Sequence, residues 1–389
     1  RDRLRSRGLG DVYKRQIITW LNHICISTFI IKHNQMKRIS VKNIIKNIKK
    51  LPPKFIVLVL IIIILLSTII TIIIVQASKQ KAVIYTGDNL NENKYPQYKE
   101  LLDKLKEEHP NWTFTLFYTK LNWSSVIKNE GHSNTRTTPL NLIPASKTYS
   151  GEWQCEEDNG KTYDNGSWVC ASTKAIAYKM DPRNMLNSAD IFQLKELNFN
   201  EDAVTKEGIM DKTEDTFLEG ESLAEAILDA GKKNDIDPYF IVSRLIQEQG
   251  KNGTKLSRGY EYNGQTVYNP FNIAASGNSQ TSIINNAAEY AYSHEWFSLE
   301  KALIEGVNFI NIKYMDIGQD TLYFQKFDVI KENELYTNQY MQNLLAPTSE
   351  SDILLDQYES SNTVDSKLNF IIPLYENMPK EISEKPKKE

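Results

Sequence analysis

Between residues 95 and 347 the apolar side chains recur with two different periods, and each period predicts an element. In YPQYKELLDKLKEEHP, Tyr98, Leu101, Leu102 and Leu105 fall at the i, i+3, i+4, i+7 spacing of one helix face, with Pro96 in the first turn. WTFTLFY (112–118) alternates, as a strand with one buried face does. LNWSSVIKNE predicts a short helix. ASTKAIAYKMDPRNMLN predicts a helix that stops at Asp181-Pro182, because the residue before proline is pushed out of helical geometry. From Glu219 the pattern is almost entirely helical. ESLAEAILDAGKKN carries Leu223, Ala226, Ile227 and Ala230 on one face. DIDPYFIVSRLIQEQG begins with Asp237 as N-cap and Pro238 at the first helical position, and Gly250 ends it. SIINNAAEYAYSHEW and SLEKALIEGVNFINIKYMD are further helices, separated from the previous one by a Gly- and Asn-rich loop or hairpin over 259–280. These elements divide into a small α+β module (95–215) and a mainly α-helical domain with a small β-hairpin and loop lobe (216–347). A polar linker (77–94) precedes them and a charged tail (348–389) follows.

One stretch has no period at all. FIVLVLIIIILLSTIITIIIV (55–75) contains no charged residue. A helix of that length spans about 30 Å, the thickness of a bilayer's hydrocarbon core, and no globular helix is apolar on every side. The segment 55–76 therefore reads as a single transmembrane helix with the lipid bilayer as partner. It is longer than the apolar core of a cleaved signal peptide, the rival reading that a VQA cut site leaves open. Residues 36–54 hold Lys and Arg but no acid, which places them in the cytoplasm and everything after residue 77 outside the cell membrane. RDRLRSRGLGDVYKRQ resembles translated adapter sequence. Residues 1–35 are accordingly set aside as a non-native leader, with Met36 as the expected start.

Charge sharpens this division. The whole chain of 389 residues has a formal net charge of −3, yet residues 1–54 carry fourteen Lys/Arg against Asp2 and Asp11. The remainder is strongly acidic, which argues against nucleic acid as a partner. Of the three cysteines, Cys25 falls in the leader, while Cys155 and Cys170 bracket EEDNGKTYDNGSWV and its two Asn-Gly turn signals. Outside a membrane such a pair is a disulfide candidate worth about 3 kcal/mol. No other Cys or His stands beside the pair in sequence to complete four zinc ligands, so no metal is expected. Neither a phosphate loop nor a serine triad is visible, and no cofactor is expected.

The candidate chemistry lies at the end of VSRLIQEQGKNGT (242–254). On a helical wheel Glu248 falls about 20° from Ile241 and about 60° from Leu245, at the rim of the apolar stripe and one turn before the helix ends. Lost hydration and the negative end of the helix both disfavour a charge there. A carboxyl kept protonated can serve as a general acid. The plainer reading is a surface ion pair with Arg244, four residues earlier.

Four segments, in order, change that balance. EQGKNGTKLSRG, YNPFNIAASG (268–277), EWFSLEKALIEGVNFINIKYMDIGQDTLYFQKFDV (295–329) and NQYMQNLLAP (338–347) together resemble glycoside hydrolase family 73, the bacterial peptidoglycan N-acetylglucosaminidases on a lysozyme-like fold. The resemblance covers 216–347. It implies Glu248 as catalytic acid, Tyr340 as an active-site tyrosine, and peptidoglycan glycan strands as substrate. Ala275 and Glu295 stand where the family has glycines. No second carboxylate has an obvious place, and Glu261 in the long loop is the candidate base; the substrate's own 2-acetamido group is the alternative. Gln249, Tyr268, Phe271, Asn272, Trp296, Gln319 and Tyr323 are the candidates for lining a glycan cleft, with packing and loop capping as their competing roles. The expected activity is an endo-β-N-acetylglucosaminidase. A muramidase or lytic transglycosylase on the same fold, or a silent wall-binding scaffold, are the alternatives.

Overall fold

In a computed structural model of the chain, which describes residues 82–388 apart from 134, 278, 332 and 333, the apolar periods become helices and strands close to where the sequence puts them. The leader, the basic segment and the charge-free run 55–75 lie outside the described residues. Among the described residues no helix is long and apolar enough to cross a membrane. The upstream part contains β1 (Ala82–Ile84), α1 (Tyr98–Glu108), β2 (Thr113–Asn122) and α2 (Trp123–Glu130). It continues with β3 (Leu142–Pro144), β4 (Thr162–Tyr163), β5 (Trp168–Cys170), α3 (Thr173–Met180) and α4 (Lys206–Thr213). Helix α1 buries Tyr98, Leu102 and Leu105, three of the four residues its periodicity nominates. Helices α2 and α3 start where the side chains of Asn122 and Ser172 accept a backbone N–H from the first turn. Cys155 and Cys170 form the expected disulfide.

The helical part follows as α5 (Glu221–Asn234), α6 (Pro238–Gln249), α7 (Lys255–Arg258), the hairpin β6 (Tyr260–Tyr262) and β7 (Gln265–Val267), α8 (Gln280–Ser293), α9 (Leu299–Lys313) and α10 (Leu322–Phe327). Two elements then replace the expected tail: α11 (Ala346–Ser360) and β8 (Asn369–Glu376). The reason for the difference is plain in the burial. Phe370 to Tyr375 are all inside, an apolar run masked in the sequence by the charges on either side of it.

Strand β8 joins a sheet of order β1-β2-β8, in which β1 runs antiparallel to β2 and β8 parallel to it, with Leu116 opposite Ile372. Pro373 is tolerated because β8 is an edge strand. Beyond the strand the chain continues across the upstream part, where the Arg183 guanidinium donates to the carbonyls of Pro379 (2.8 Å) and Glu381 (3.1 Å). Asp181 holds that guanidinium at 2.9 and 2.7 Å, both side chains being fully buried. MDPRN is therefore a fastener for the C-terminal segment. The expected linker is also structured, since β1 pairs with β2 and Tyr85 and Leu90 are buried. The upstream module, the helical part and the C-terminal elements make one compact unit, 79–389.

Candidate active site

Helix α6 is held along its whole length by groups from distant parts of the chain. At its start Asp237 caps the Tyr239 N–H at 2.8 Å, as expected. The same carboxylate takes the Lys195 ammonium (2.8 Å) and the Tyr358 hydroxyl (2.7 Å), so upstream part and α11 both converge on the cap. In the middle, Arg244 is buried rather than exposed. It pairs with Glu350 of α11, donates to Gln325 Oε1 at 2.7 Å and lies 3.6 Å over the centre of the Tyr340 ring. The surface pair between Arg244 and Glu248 does not form. Burial works against both charges of the Arg244–Glu350 pair. Arg244 nevertheless keeps its proton firmly because Glu350 and Tyr340 surround it. Burial, with neighbouring Glu248 pushing the same way, shifts Glu350 above the usual carboxylate range against the pull of Arg244.

At the far end of α6, Glu248 is partly exposed and its two oxygens face two different donors. The Tyr340 hydroxyl donates to Oε1, and Asn272 Nδ2 donates to Oε2 at 3.1 Å. Burial, with Glu350 and Glu248 nearby, raises the Tyr340 phenol well above its ordinary range even though Arg244 opposes this, so the hydroxyl remains a donor. The loop carrying Tyr340 is tied down from behind. Asp328 Oδ2 accepts the N–H groups of Thr337 (2.8 Å) and Asn338 (2.7 Å), and Tyr340 N–H donates to Gln325 O at 2.8 Å.

The remaining residues nominated from sequence divide sharply. Asn272 touches Glu248 and has a backbone φ of 53°, a left-handed conformation that asparagine tolerates. Gln249 is buried and clamps the loop after α6, donating to Pro270 O at 2.6 Å and accepting from the Thr254 hydroxyl. Phe271 is core: it lies against Gly306, where an added Cβ would sit 2.3 Å from its ring. Trp296 is 1% exposed and donates to Glu305 at 2.6 Å. Gln319 and Tyr323 are fully buried, so neither can reach a glycan. Gln319 donates to Asn338 O (3.1 Å) and thereby steadies the Tyr340 loop; Tyr323 bonds Met180 O (2.8 Å) and Tyr375 (2.7 Å). Tyr268 lines a cavity of about 570 Å³ with Phe217, Arg258 and Phe297, and Glu248 is not part of that lining. Glu261 sits exposed on the β6–β7 hairpin and accepts from Thr266.

Gln325 and Glu350 are residues that the sequence did not point to, and Arg244, expected as a surface partner of Glu248, is buried against Glu350 instead. Glu350 is 106 positions from Arg244, and no local pattern links them. The structure also brings His132 and Asp158 to the Cys155–Cys170 pair, completing a group of four metal-type ligands that the sequence spacing had ruled out.

No family model matches the sequence. Over 214 residues the chain is 28% identical to a beta-N-acetylglucosaminidase of Bacillus subtilis (strain 168), a match that covers 53% of this chain and 23% of that protein. It is 23% identical over 220 residues to a bifunctional autolysin of Staphylococcus epidermidis, covering 54% of this chain and 16% of the autolysin. The matched region thus spans less than a quarter of these curated relatives. Among solved structures, S. aureus glucosaminidase B is similar with a TM-score of 0.49 at 20% identity, over 70% of this chain and 97% of that one.

Proposed function

We propose that the chain is a peptidoglycan hydrolase of the family 73 type, an endo-β-N-acetylglucosaminidase with a lysozyme-like helical core, anchored in the membrane by residues 55–76 and facing the cell wall. The observation that carries the reading is the setting of Glu248: a partly exposed carboxylate at the end of a rigid helix, its two oxygens addressed by Tyr340 and Asn272. The names of the Bacillus and Staphylococcus relatives supply the substrate class, GlcNAc-containing wall glycan.

In this reading Glu248 protonates the departing MurNAc oxygen. The two oxygens of Glu248 each face a donor, so a bound glycan takes over one of those contacts and the carboxyl takes up a proton from solvent before delivering it. Tyr340 is the donor that transfers: its hydroxyl turns to the 2-acetamido group, whose oxygen attacks the anomeric carbon as the glycosidic C–O bond breaks. Water then opens the resulting oxazolinium ring to leave a GlcNAc reducing end. Glu350 cannot replace an enzymatic base, because it is buried against Arg244. Substrate assistance removes the need for one, and Glu261 is the fallback on the hairpin.

The test is Glu248→Gln. It keeps the shape and one acceptor oxygen but removes the acid, so wall clearing in zymograms should fall about 10²- to 10⁴-fold while binding to insoluble wall persists. Wild-type digests should carry new GlcNAc reducing ends. Retained clearing by the variant, or MurNAc or anhydro ends from the wild type, would refute the assignment.

A further inference from the structure

A second group of chemically capable side chains lies in the upstream part, well apart in sequence from the Glu248 helix. We propose that His132, Cys155, Asp158 and Cys170 form a redox-gated site for a zinc-class divalent cation, closed by the disulfide in the oxidised chain and open once the disulfide is reduced. The inference is independent of the proposed hydrolase activity.

The four residues come from three separate places. His132 follows α2, Cys155 and Asp158 precede β4, and Cys170 ends β5. One ligand atom of each lies within 4.8 Å of all the others. His132 Nδ1 is 3.8 Å from Cys170 Sγ and 4.0 Å from Asp158 Oδ1. In a tetrahedral zinc centre with Zn–S near 2.3 Å and Zn–N near 2.0 Å, neighbouring ligand atoms are about 3.3–3.8 Å apart. Imidazole, carboxylate and sulfur are therefore already at nearly the required spacing, and only the two sulfurs need to part. Both cysteines are buried and the other two side chains are 13% and 10% exposed, so the group is sheltered from bulk water.

The surroundings suit a metal centre in two further ways. The Tyr163 hydroxyl donates to Asp158 Oδ2 at 2.7 Å, fixing the carboxylate while Oδ1 points toward His132, as outer partners of metal ligands do. The backbone frame does not depend on the S–S bond alone, because Cys155 N–H donates to Cys170 O at 3.0 Å and β5 pairs with both β3 and β4. Two thiolates with one imidazole favour zinc over magnesium or calcium.

The chemistry balances simply. A dithiol or phosphine reductant gives two electrons, the S–S bond breaks, and each sulfur takes a proton. Zinc then forms two Zn–S bonds and releases both protons to solvent, with no change in its own oxidation state. The cross-link between 155 and 170 thus persists in either redox condition. It matters to the active site because β3, paired with β5, also carries Leu142. Leu142 bridges to Asn343, three residues past Tyr340, and donates to Gln342 O at 2.8 Å.

The experiment uses the full chain with Cys25→Ser, so that only two thiols remain, and cobalt(II) as probe. After phosphine reduction and anaerobic removal of the phosphine, one cobalt per chain should bind, with thiolate-to-cobalt charge-transfer absorption and intense tetrahedral d–d bands that zinc abolishes. The oxidised chain should show neither. His132→Ala and Asp158→Asn keep the disulfide, so their folding can be checked before reduction. After reduction each should bind cobalt at least tenfold more weakly, with altered d–d bands. If reduction itself loosens the chain, zinc should restore its helical circular dichroism. The proposal is overturned if the reduced chain gives no charge-transfer band, if both variants keep wild-type spectrum and affinity, or if zinc fails to restore a loosened fold.

Discussion

Tyr340 is where several weak influences meet on one atom: its hydroxyl faces Glu248, its ring carries the Arg244 guanidinium, and its backbone is fixed to Gln325. Removing only the hydroxyl should therefore be informative. Tyr340→Phe removes the hydroxyl that faces Glu248, and turnover on purified wall should fall about ten- to a hundredfold, while the loss of stability in denaturant titrations stays at about 1 kcal/mol, that of an ordinary hydrogen bond. The Arg244–Glu350 pair behind it should separate stability from function. Glu350→Ala strands a buried cation and costs about 3–5 kcal/mol. Arg244→Met combined with Glu350→Leu should recover most of that in denaturant titrations yet leave wall clearing low, because the Tyr340 ring has lost its cation. Full clearing by the double variant would show that the pair has no part in placing Tyr340. Asp320 makes a third, quite different, prediction. Burial first, and Glu196 second, push its carboxyl up to about 7, and its Oδ1 has no hydrogen-bond partner among the described residues. The native state therefore keeps a proton that the unfolded chain releases near pH 4, so stability falls as pH rises from about 4 to 7 and stays reduced above. Asp320→Asn removes the group that titrates. It should raise the melting temperature at pH 8 by about 2–4 °C, the effect of about 1 kcal/mol at this size, with little effect at pH 4.

At the scale of elements, α6 explains what a sequence can and cannot disclose. Its ends were legible because capping is local: Asp237, Pro238 and Gly250 are read within one turn of where they act. Glu248 was legible for the same reason, as the polar edge of an apolar stripe. What fixes α6 in space was not, since Lys195, Tyr358 and Glu350 meet it from separate segments. The same distinction separates Asn272, which reaches Glu248, from Trp296, Gln319 and Tyr323, whose aromatic or amide character suited a sugar cleft equally well but which are themselves buried. Asp237→Ala tests the element directly. It leaves Lys195 buried without its partner, and the expected loss is about 3–5 kcal/mol, measurable by urea unfolding. Because the cap is a full helix length from Glu248, activity at low temperature should survive in the fraction that stays folded.

At the scale of the molecule, the upstream part and the C-terminal segment form a frame around the helical domain. The Thr115 hydroxyl bonds Asn369, 254 residues further on, and Trp112 donates to Val364 O at 2.8 Å. Deleting residues 361–389 strips β2 of its parallel neighbour and exposes the apolar faces of Phe114 and Leu116. The shortened chain should be protease-sensitive and inactive on wall, even though every residue at Glu248 is retained. The order of synthesis then acquires meaning. Helix α6 is made more than a hundred residues before β8, but the sheet β1-β2-β8 stays open until β8 has emerged, and pairings of such long range form slowly. Under the proposed function, a chain built this way gains its cutting activity only when its last strand has paired.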